Sequence, residues 1–170
     1  FAKIHKTDAE WRAQLTPRAY AVTRHEGTEP AYSGIHWNRH ERGVYRCVCC
    51  GTALFDSRTK FESGTGWPSF WRPLREGVLE SAPDYSGPEF RVEVACARCD
   101  AHLGHVFEDG PAPTGLRFCI NSVALKLKPA EAAKPADKPA AAPAFAGGGS
   151  LKLLMRSHFV PAWDAWFDDW

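Results

Sequence analysis

The sequence predicts a mainly β protein, with an antiparallel β core over residues 43–127 and short helices on its N-terminal side. Three observations favour this class. Short segments with β-branched or alternating side chains, bounded by Gly, Pro and Asp, occupy the middle of the chain. Helix-capping signals precede them. Two C-x2-C pairs lie within the β region, a spacing that is typical of metal-stapled folds.

The composition is that of a globular domain and argues against two functional classes. Of the 170 residues, 44% are apolar and 24% are charged, and 21 Lys and Arg against 20 Asp and Glu leave a net charge of +1. This balance argues against nucleic-acid binding driven by phosphate neutralisation. No apolar run reaches the roughly 18–20 residues of a membrane helix, so no membrane association is expected.

Two short helices are predicted at the N-terminal end. Thr7 and Glu10 match a capping box, in which a hydroxyl and a carboxylate satisfy free backbone N–H groups. Thr16 followed by Pro17 has the pattern of a second helix start. Gly27 is placed to end that helix in the left-handed conformation.

Three segments of the core carry strand patterns. They are residues 43–48, 90–95 and 116–127, and the last alternates over its whole length. Residues 64–88 contain too many Gly, Pro and Ser residues for long regular elements.

Two cysteine pairs are predicted to hold one structural Zn²⁺ per chain. Cys47 with Cys50 and Cys96 with Cys99 supply four thiolates, the number that a tetrahedral structural zinc site needs. Cys49 is then free. The alternatives are two C-x2-C redox sites, or unrelated buried cysteines.

The remaining cysteine lies in a strand with polar neighbours. Arg117, Cys119 and Asn121 share one face of the predicted strand, where a cation can stabilise a thiolate. A cysteine in an apolar strand is more often an inert core residue, but a strand built only for packing would rarely place Arg, Cys and Asn together.

Two other segments carry candidate chemistry. His102 and His105 follow the second cysteine pair, and a histidine near a thiol can hold a proton for a leaving oxygen. The loop at residues 64–71 displays large aromatic side chains, including Trp67 and Phe70. It is either a packed aromatic turn or a pocket for a small apolar group such as a methyl.

Taken in order, these motifs resemble the methionine sulfoxide reductases of the B type, which reduce the R epimer of methionine sulfoxide. The resemblance covers roughly residues 7–127 and rests on the ordered set, since each motif alone is weak. Its motifs are the two cysteine pairs, Ser63-Gly64-Thr65-Gly66-Trp67-Pro68-Ser69-Phe70, His102-Leu103-Gly104-His105-Val106-Phe107, Asp109-Gly110-Pro111 and Arg117-Phe118-Cys119-Ile120-Asn121-Ser122.

The resemblance implies a fold, a cofactor and roles for the site residues. The fold is two small antiparallel sheets stapled by a zinc site of four cysteines, with the zinc serving structure. Cys119 is the nucleophile that becomes a sulfenic acid, and His102 and His105 hold and protonate the sulfoxide oxygen through a water network. Asp109, Arg117 and Asn121 orient that network and favour the thiolate. Trp67 packs on the substrate methyl group. From the aromatic loop itself we expect Phe70 to be a second substrate-binding residue.

One position departs from the family pattern. Many members carry a resolving cysteine where this chain has Thr65, in the loop before Trp67. The sulfenic acid on Cys119 is then regenerated either through Cys49 or directly by an external thiol such as thioredoxin. Cys49 would have to approach Cys119 to within about 7 Å between Cα atoms.

The expected domains are residues 1–127 as the reductase domain, 128–150 as an Ala-, Pro- and Gly-rich linker, and 151–170 as a Trp-rich amphipathic tail. We expect the tail to dock on its own domain or on a partner, and residues 147–150 are either natural or an added linker. An alternative function is a zinc-stapled β module that binds a partner through this tail. A lesser alternative is a thiol-disulfide oxidoreductase that acts through the cysteine pairs.

The sequence favours a cytoplasmic location, because free catalytic and zinc-binding thiols suit a reducing compartment. The chain starts at Phe1 without an initiator Met or an apolar signal segment, so we expect a processed or trimmed N-terminus. An exported form after leader removal is the alternative.

Overall fold

The computed structural model describes residues 2–131 and begins with the two expected helices. Helix α1 spans Asp8–Gln14 and helix α2 spans Pro17–Arg24. The capping box is confirmed, since Glu10 N donates to the Thr7 hydroxyl at 3.3 Å and Thr7 N donates to the Glu10 carboxylate at 2.7 Å. The helices bury Trp11 and Tyr20 against the β core.

The predicted end of α2 is one residue off. Glu26 has a φ of 53° and is the left-handed residue, while the expected Gly27 lies just beyond it. The Gly27 N–H donates to Ala21 O at 3.1 Å, and a Cβ there would lie 2.9 Å from that oxygen. Glycine is therefore selected at this position for close backbone approach and not for its φ angle.

Within residues 2–131, nine strands form two antiparallel sheets, which confirms the mainly β fold class. The smaller sheet has the order β2-β1-β9, and the larger has the order β3-β4-β8-β7-β6-β5. The strands are β1 Gly43–Cys47, β2 Ala53–Asp56, β3 Lys60–Phe61, β4 Ser69–Phe70, β5 Leu79–Asp84, β6 Arg91–Cys96, β7 His102–Phe107, β8 Arg117–Ile120 and β9 Leu125–Pro129.

The prediction of one continuous strand over residues 116–127 is wrong. The segment forms β8 in the larger sheet, a 3₁₀ turn at Ser122–Ala124, and β9 in the smaller sheet. The break occurs because the Glu29 carboxylate accepts the N–H groups of Ser122 at 2.6 Å and Val123 at 3.1 Å. A side chain from a distant loop thus takes the donors that a neighbouring strand would otherwise use.

Five strands form outside the three predicted strand segments, namely β2, β3, β4, β5 and β7. Strand β5 contains Pro83, which is tolerated because β5 lies at the edge of the larger sheet. Strand β7 contains both candidate histidines.

Strand β9 continues to Pro129, two residues past the expected domain boundary, and the described part of the chain ends soon after it. The proposed tail and most of the proposed linker lie outside the described residues.

The larger sheet has one apolar and one polar face. Val94, Leu103, Phe118 and Ile120 belong to the buried core. Strand alternation turns the residues between them to the opposite face, which carries Glu93, His105, Arg117 and Cys119. The candidate site therefore lies on the polar face of a sheet whose other face is fixed by the core.

Candidate active site and metal centre

The four predicted metal ligands converge on one point. The Sγ atoms of Cys47, Cys50, Cys96 and Cys99 all lie within 4.8 Å of one another. Sulfur atoms are 3.7 Å apart for Cys47 and Cys99, and 3.6 Å apart for Cys50 and Cys96. A tetrahedral ion with metal–sulfur bonds of about 2.3 Å would separate its ligands by roughly 3.8 Å, so the cluster can hold a metal ion.

The cluster joins the two sheets. Cys47 and Cys50 flank the turn after β1 of the smaller sheet, and Cys96 and Cys99 flank the turn after β6 of the larger sheet. A metal held here would staple two segments about fifty residues apart in the chain. All six cysteines are free, and one four-sulfur cluster does not resemble two separate redox pairs.

Cys49 lies beside this cluster. Its thiol is buried and contacts Thr23, Cys47 and Cys99. The Gln14 amide donates to Cys49 O at 2.5 Å and ties the turn to α1. Among the described residues, none of these contacts involves Cys119, so the structure does not bring the proposed resolving thiol to the proposed nucleophile.

Cys119 lies in β8, directly opposite His105 of β7. Residues that pair directly across antiparallel strands share a face, with Cβ atoms about 4.5–5.5 Å apart. Arg117 lies on the same face, and its guanidinium contacts the Cys119 thiol. The structure therefore brings a thiol, an imidazole and a guanidinium together, as the sequence predicts for these three residues.

Two contacts fix the Arg117 guanidinium. It donates two hydrogen bonds to the Asp109 carboxylate, at 2.8 Å and 2.9 Å, and lies 4.4 Å from the centre of the Phe107 ring. This hydrogen bonding lowers the pKa of Asp109. The bidentate pair holds the cation beside Cys119 instead of letting it swing into solvent.

Opposing effects act on the Cys119 thiol. Burial raises the pKa of Cys119, while the Arg117 cation and the nearby Thr65 hydroxyl lower it, and burial is the largest effect. Thr65 belongs to a chain of hydroxyl groups, with Thr65 Oγ1 2.8 Å from Ser63 Oγ and Ser63 Oγ 2.7 Å from Ser69 Oγ. Thr65 thus places a hydroxyl near the Cys119 thiol.

The two histidines share a face because β7 contains an extra residue. The pairing with β6 shifts between Val94, which faces Gly104, and Ala95, which faces His102. Such a bulge turns two residues three positions apart to the same side. The imidazole ring centres of His102 and His105 are 5.5 Å apart.

Each histidine is paired with a carboxylate that the sequence analysis missed. His102 Nδ1 lies 2.6 Å from Glu93 Oε1, and His105 Nε2 lies 2.7 Å from Asp84 Oδ2. Burial lowers the pKa of His105, and the Asp84 carboxylate opposes this effect. The alternating pattern of residues 90–95 predicts that Glu93 lies on the polar face of its strand, but it does not indicate a histidine partner. Asp84 lies in a segment without such a pattern.

Glu29 is a third residue that the sequence did not reveal. Its buried carboxylate caps the turn after β8, its backbone N–H donates to Asn121 Oδ1 at 3.0 Å, and its backbone oxygen accepts the Trp67 indole N–H at 3.1 Å. The Asn121 amide in turn donates to Leu103 O at 3.0 Å. Asn121 is thus bonded to backbone groups on both sides, and Trp67 is anchored with its ring half-buried.

Phe70 lies away from the site face. Phe70 pairs with Phe118 and Ser69 pairs with Cys119, so Phe70 and Cys119 point to opposite faces. Its ring is fully buried and stacks on Phe55 at 4.4 Å between centroids. The structure does not bring Phe70 to the other site residues and gives it a packing position.

The site combines a thiol, a guanidinium and two imidazoles that are each paired with a carboxylate. It lies on a sheet that four cysteines join to a second sheet. This arrangement defines the class of thiol-based oxidoreductases. Sequence comparison specifies the family within this class. Residues 15–129 match the family described as the SelR domain. The chain belongs to this family.

Three relatives illustrate the similarity, and each is named peptide methionine sulfoxide reductase MsrB. The protein of Acinetobacter baylyi is 53% identical over 126 residues, which cover 74% of this chain and 91% of the relative. That of Acinetobacter baumannii is 53% identical over 129 residues, covering 76% and 93%. That of Thioalkalivibrio sulfidiphilus is 56% identical over 124 residues, covering 73% and 90%.

Proposed function

We propose that this chain reduces methionine-R-sulfoxide, free or within proteins, to methionine, with Cys119 as the nucleophile. The observation that carries the proposal is the position of Cys119, opposite His105 and against the Arg117 guanidinium on the polar face of the larger sheet. The relatives that are 53–56% identical are named peptide methionine sulfoxide reductases, which supports the same substrate class.

In the proposed reaction the Cys119 thiolate attacks the sulfoxide sulfur. An imidazolium, His102 or His105, gives one proton to the sulfoxide oxygen, and the oxygen passes to the Cys119 sulfur as the substrate's sulfur–oxygen bond breaks. The products are methionine and a Cys119 sulfenic acid. The Cys119 sulfur is oxidised by two electrons and the substrate sulfur is reduced by two, so no other oxidant or reductant takes part in this step.

Other residues prepare these groups. Arg117, held by Asp109, favours the thiolate over the thiol. Trp67 presents a half-buried indole whose N–H is already bonded to the backbone, which leaves the ring face for the substrate methyl group. Asn121 fixes the end of β8 through its two backbone partners.

Regeneration by an external thiol is the route that the arrangement favours. Cys49 is packed against the four-cysteine cluster, and its contacts do not include Cys119. A thiol such as that of thioredoxin attacks the sulfenic sulfur, water leaves and a mixed disulfide forms. A second thiol of the reductant then attacks this mixed disulfide. Cys119 leaves as a thiolate, and a disulfide forms between the two thiols of the reductant.

The metal of the four-cysteine cluster is proposed to be Zn²⁺. Four thiolates whose sulfur atoms lie within 4.8 Å of one another are the donor set of structural zinc sites, and no ligand position is left for substrate. Cys47, Cys50, Cys96 and Cys99 would hold the ion. Bound zinc supplies a structural cross-link between the sheets and no part of the redox step.

The proposal is tested by an assay that separates the two epimers of methionine sulfoxide, with dithiothreitol and with thioredoxin as reductants. We expect turnover of the R epimer, none of the S epimer, and loss of turnover in Cys119→Ser. The control is Glu89→Gln, an exposed carboxyl change outside the site. Full turnover in Cys119→Ser, or no turnover of either epimer by metal-loaded protein, would overturn the proposal.

A further inference from the structure

The two site histidines contact their carboxylates through different ring nitrogens. Glu93 Oε1 lies 2.6 Å from Nδ1 of His102, whereas Asp84 Oδ2 lies 2.7 Å from Nε2 of His105. An ionised carboxylate only accepts hydrogen bonds, so each carboxylate requires an N–H on the nitrogen that it contacts. When neutral, His102 is then protonated on Nδ1 and His105 on Nε2.

The other nitrogen of His102 is buried without a partner. The His102 side chain is 3% exposed, and among the described residues no group hydrogen-bonds to its Nε2 atom. A buried polar atom of this kind is rarely left unpaired, because desolvation without a hydrogen bond costs free energy. An unpaired nitrogen beside the nucleophile's strand is therefore suited to meet a substrate oxygen.

The carboxylates are themselves held in place. Asp84 accepts the backbone N–H and hydroxyl of Ser86 at 2.9 Å and 2.6 Å, and it accepts Arg91 at 2.9 Å. These bonds and the one from His105 lower the pKa of Asp84. Glu93 lies directly opposite His105 in the β6–β7 pairing, on the face that carries Cys119.

We propose that Glu93 and Asp84 are positioning residues that fix the two histidines in opposite tautomers. Nε2 of His102 and Nδ1 of His105 are the nitrogens that serve the sulfoxide oxygen. Each carboxylate keeps the proton on its own side of the ring, so the proton given to the substrate leaves from the other nitrogen. This role rests on the proposed sulfoxide reduction.

The tautomers are measurable without any activity. In protein labelled with ¹⁵N in histidine, two-bond ¹H–¹⁵N spectra at about pH 9, where imidazole is neutral, report which nitrogen carries the proton. His102→Asn and His105→Asn assign the two ring systems. We expect the Nδ1–H form for His102 and the Nε2–H form for His105 in the native chain.

Substitution of the carboxylates separates positioning from packing. In Glu93→Ala, the population of His102 protonated on Nδ1 should fall. In Glu93→Gln, which keeps an acceptor oxygen, part of that population should remain. Asp84→Ala should mix the two forms of His105. Glu89→Gln, an exposed change in the same β5–β6 hairpin, should leave both patterns unchanged.

Kinetics provide the second measurement. We expect kcat for methionine-R-sulfoxide to fall about 10- to 100-fold in Glu93→Ala, with KM within about threefold and partial recovery in Glu93→Gln. Unchanged His102 tautomers in Glu93→Ala would overturn the inference, even if activity fell. If the native chain showed the expected tautomers but reduced no sulfoxide, the proposed function would fail and the tautomer assignment would stand.

Discussion

Cys119 and His105 occupy directly opposed positions on β8 and β7. The distance between the Cys119 thiol and the His105 imidazole is thus set by the pairing of two central strands and not by a flexible loop. On the other face of the same strands, Phe118 and Ile120 are buried in the core. A change of register would exchange these faces, so core packing and site geometry are fixed by the same pairing.

Arg117 is predicted to control the reactivity of Cys119. Burial raises the pKa of Cys119 and the Arg117 cation lowers it, so removing the cation should raise it further. Because the thiolate is the reactive form, alkylation of Cys119 by iodoacetamide should accelerate with rising pH up to its pKa. In Arg117→Met it should be about 10-fold slower at neutral pH, equivalent to about one pKa unit.

Alkylation of Cys119 is followed by peptide mass spectrometry, because the other cysteines would confuse a total thiol count. Arg42→Met, a change of an exposed guanidinium, is the matched control and should react as the native chain does. Equal rates for Arg117→Met and the native chain would show that the cation does not stabilise the thiolate.

Thr65 is predicted to determine how many thiols are consumed in one turnover. Its hydroxyl is near enough to the Cys119 thiol to lower the pKa of that thiol, so a cysteine at this position would be close to the sulfenic acid. In the native chain one turnover without reductant should consume one thiol and leave a sulfenic acid that dimedone labels. In Thr65→Cys it should consume two thiols and leave a disulfide that dimedone does not label.

Cys49→Ser is the comparison for this measurement. If Cys49 were the resolving thiol, the native chain would lose two thiols in a turnover and Cys49→Ser would lose one. Equal loss of one thiol by both proteins supports direct reduction of Cys119 by the external thiol.

The sequence predicted the parts of the fold that depend on local signals. The capping box at Thr7 and strands β1 and β6 follow from side chains a few positions apart, and the metal cluster follows from two spaced pairs. The break between β8 and β9 could not be predicted in this way. It depends on Glu29, which lies more than ninety residues earlier in the chain.

The site shows the same division. Cys119, Arg117 and His105 could be predicted because their chemistry is evident from residue type, although the bulge that aligns His102 with His105 has no local signature. Glu93 and Asp84 were missed because a carboxylate on a strand is ordinary until its partner is known. Phe70 was predicted to be a site residue because it is aromatic and lies in the candidate loop. Its residue type does not indicate that strand pairing directs its side chain into the core.

The four-cysteine cluster is predicted to bind one Zn²⁺ per chain and to stabilise the fold. Cys96→Ser should lose the metal, measured by elemental analysis, and lower Tm by roughly 10 °C or more, because a structural metal site contributes folding free energy. Cys49→Ser, whose thiol is buried beside the cluster but outside the ligand set, is the matched control and should keep one zinc. Metal retained in full by Cys96→Ser would exclude the assigned ligands.

Glu29 is predicted to be a major contributor to stability. Its carboxylate accepts the backbone N–H groups of Ser122 and Val123, so Glu29→Ala leaves these donors without an acceptor where β8 turns into β9. Unpaired buried donors cost about 1–3 kcal/mol each, and we expect the free energy of unfolding to fall by about 2–5 kcal/mol in urea denaturation.

Glu29→Gln keeps one acceptor oxygen and should lose less. Glu41→Ala removes an exposed ion pair with Arg39 and should cost less than about 1 kcal/mol. Equal losses in Glu29→Ala and Glu41→Ala would show that the carboxylate does not hold the turn.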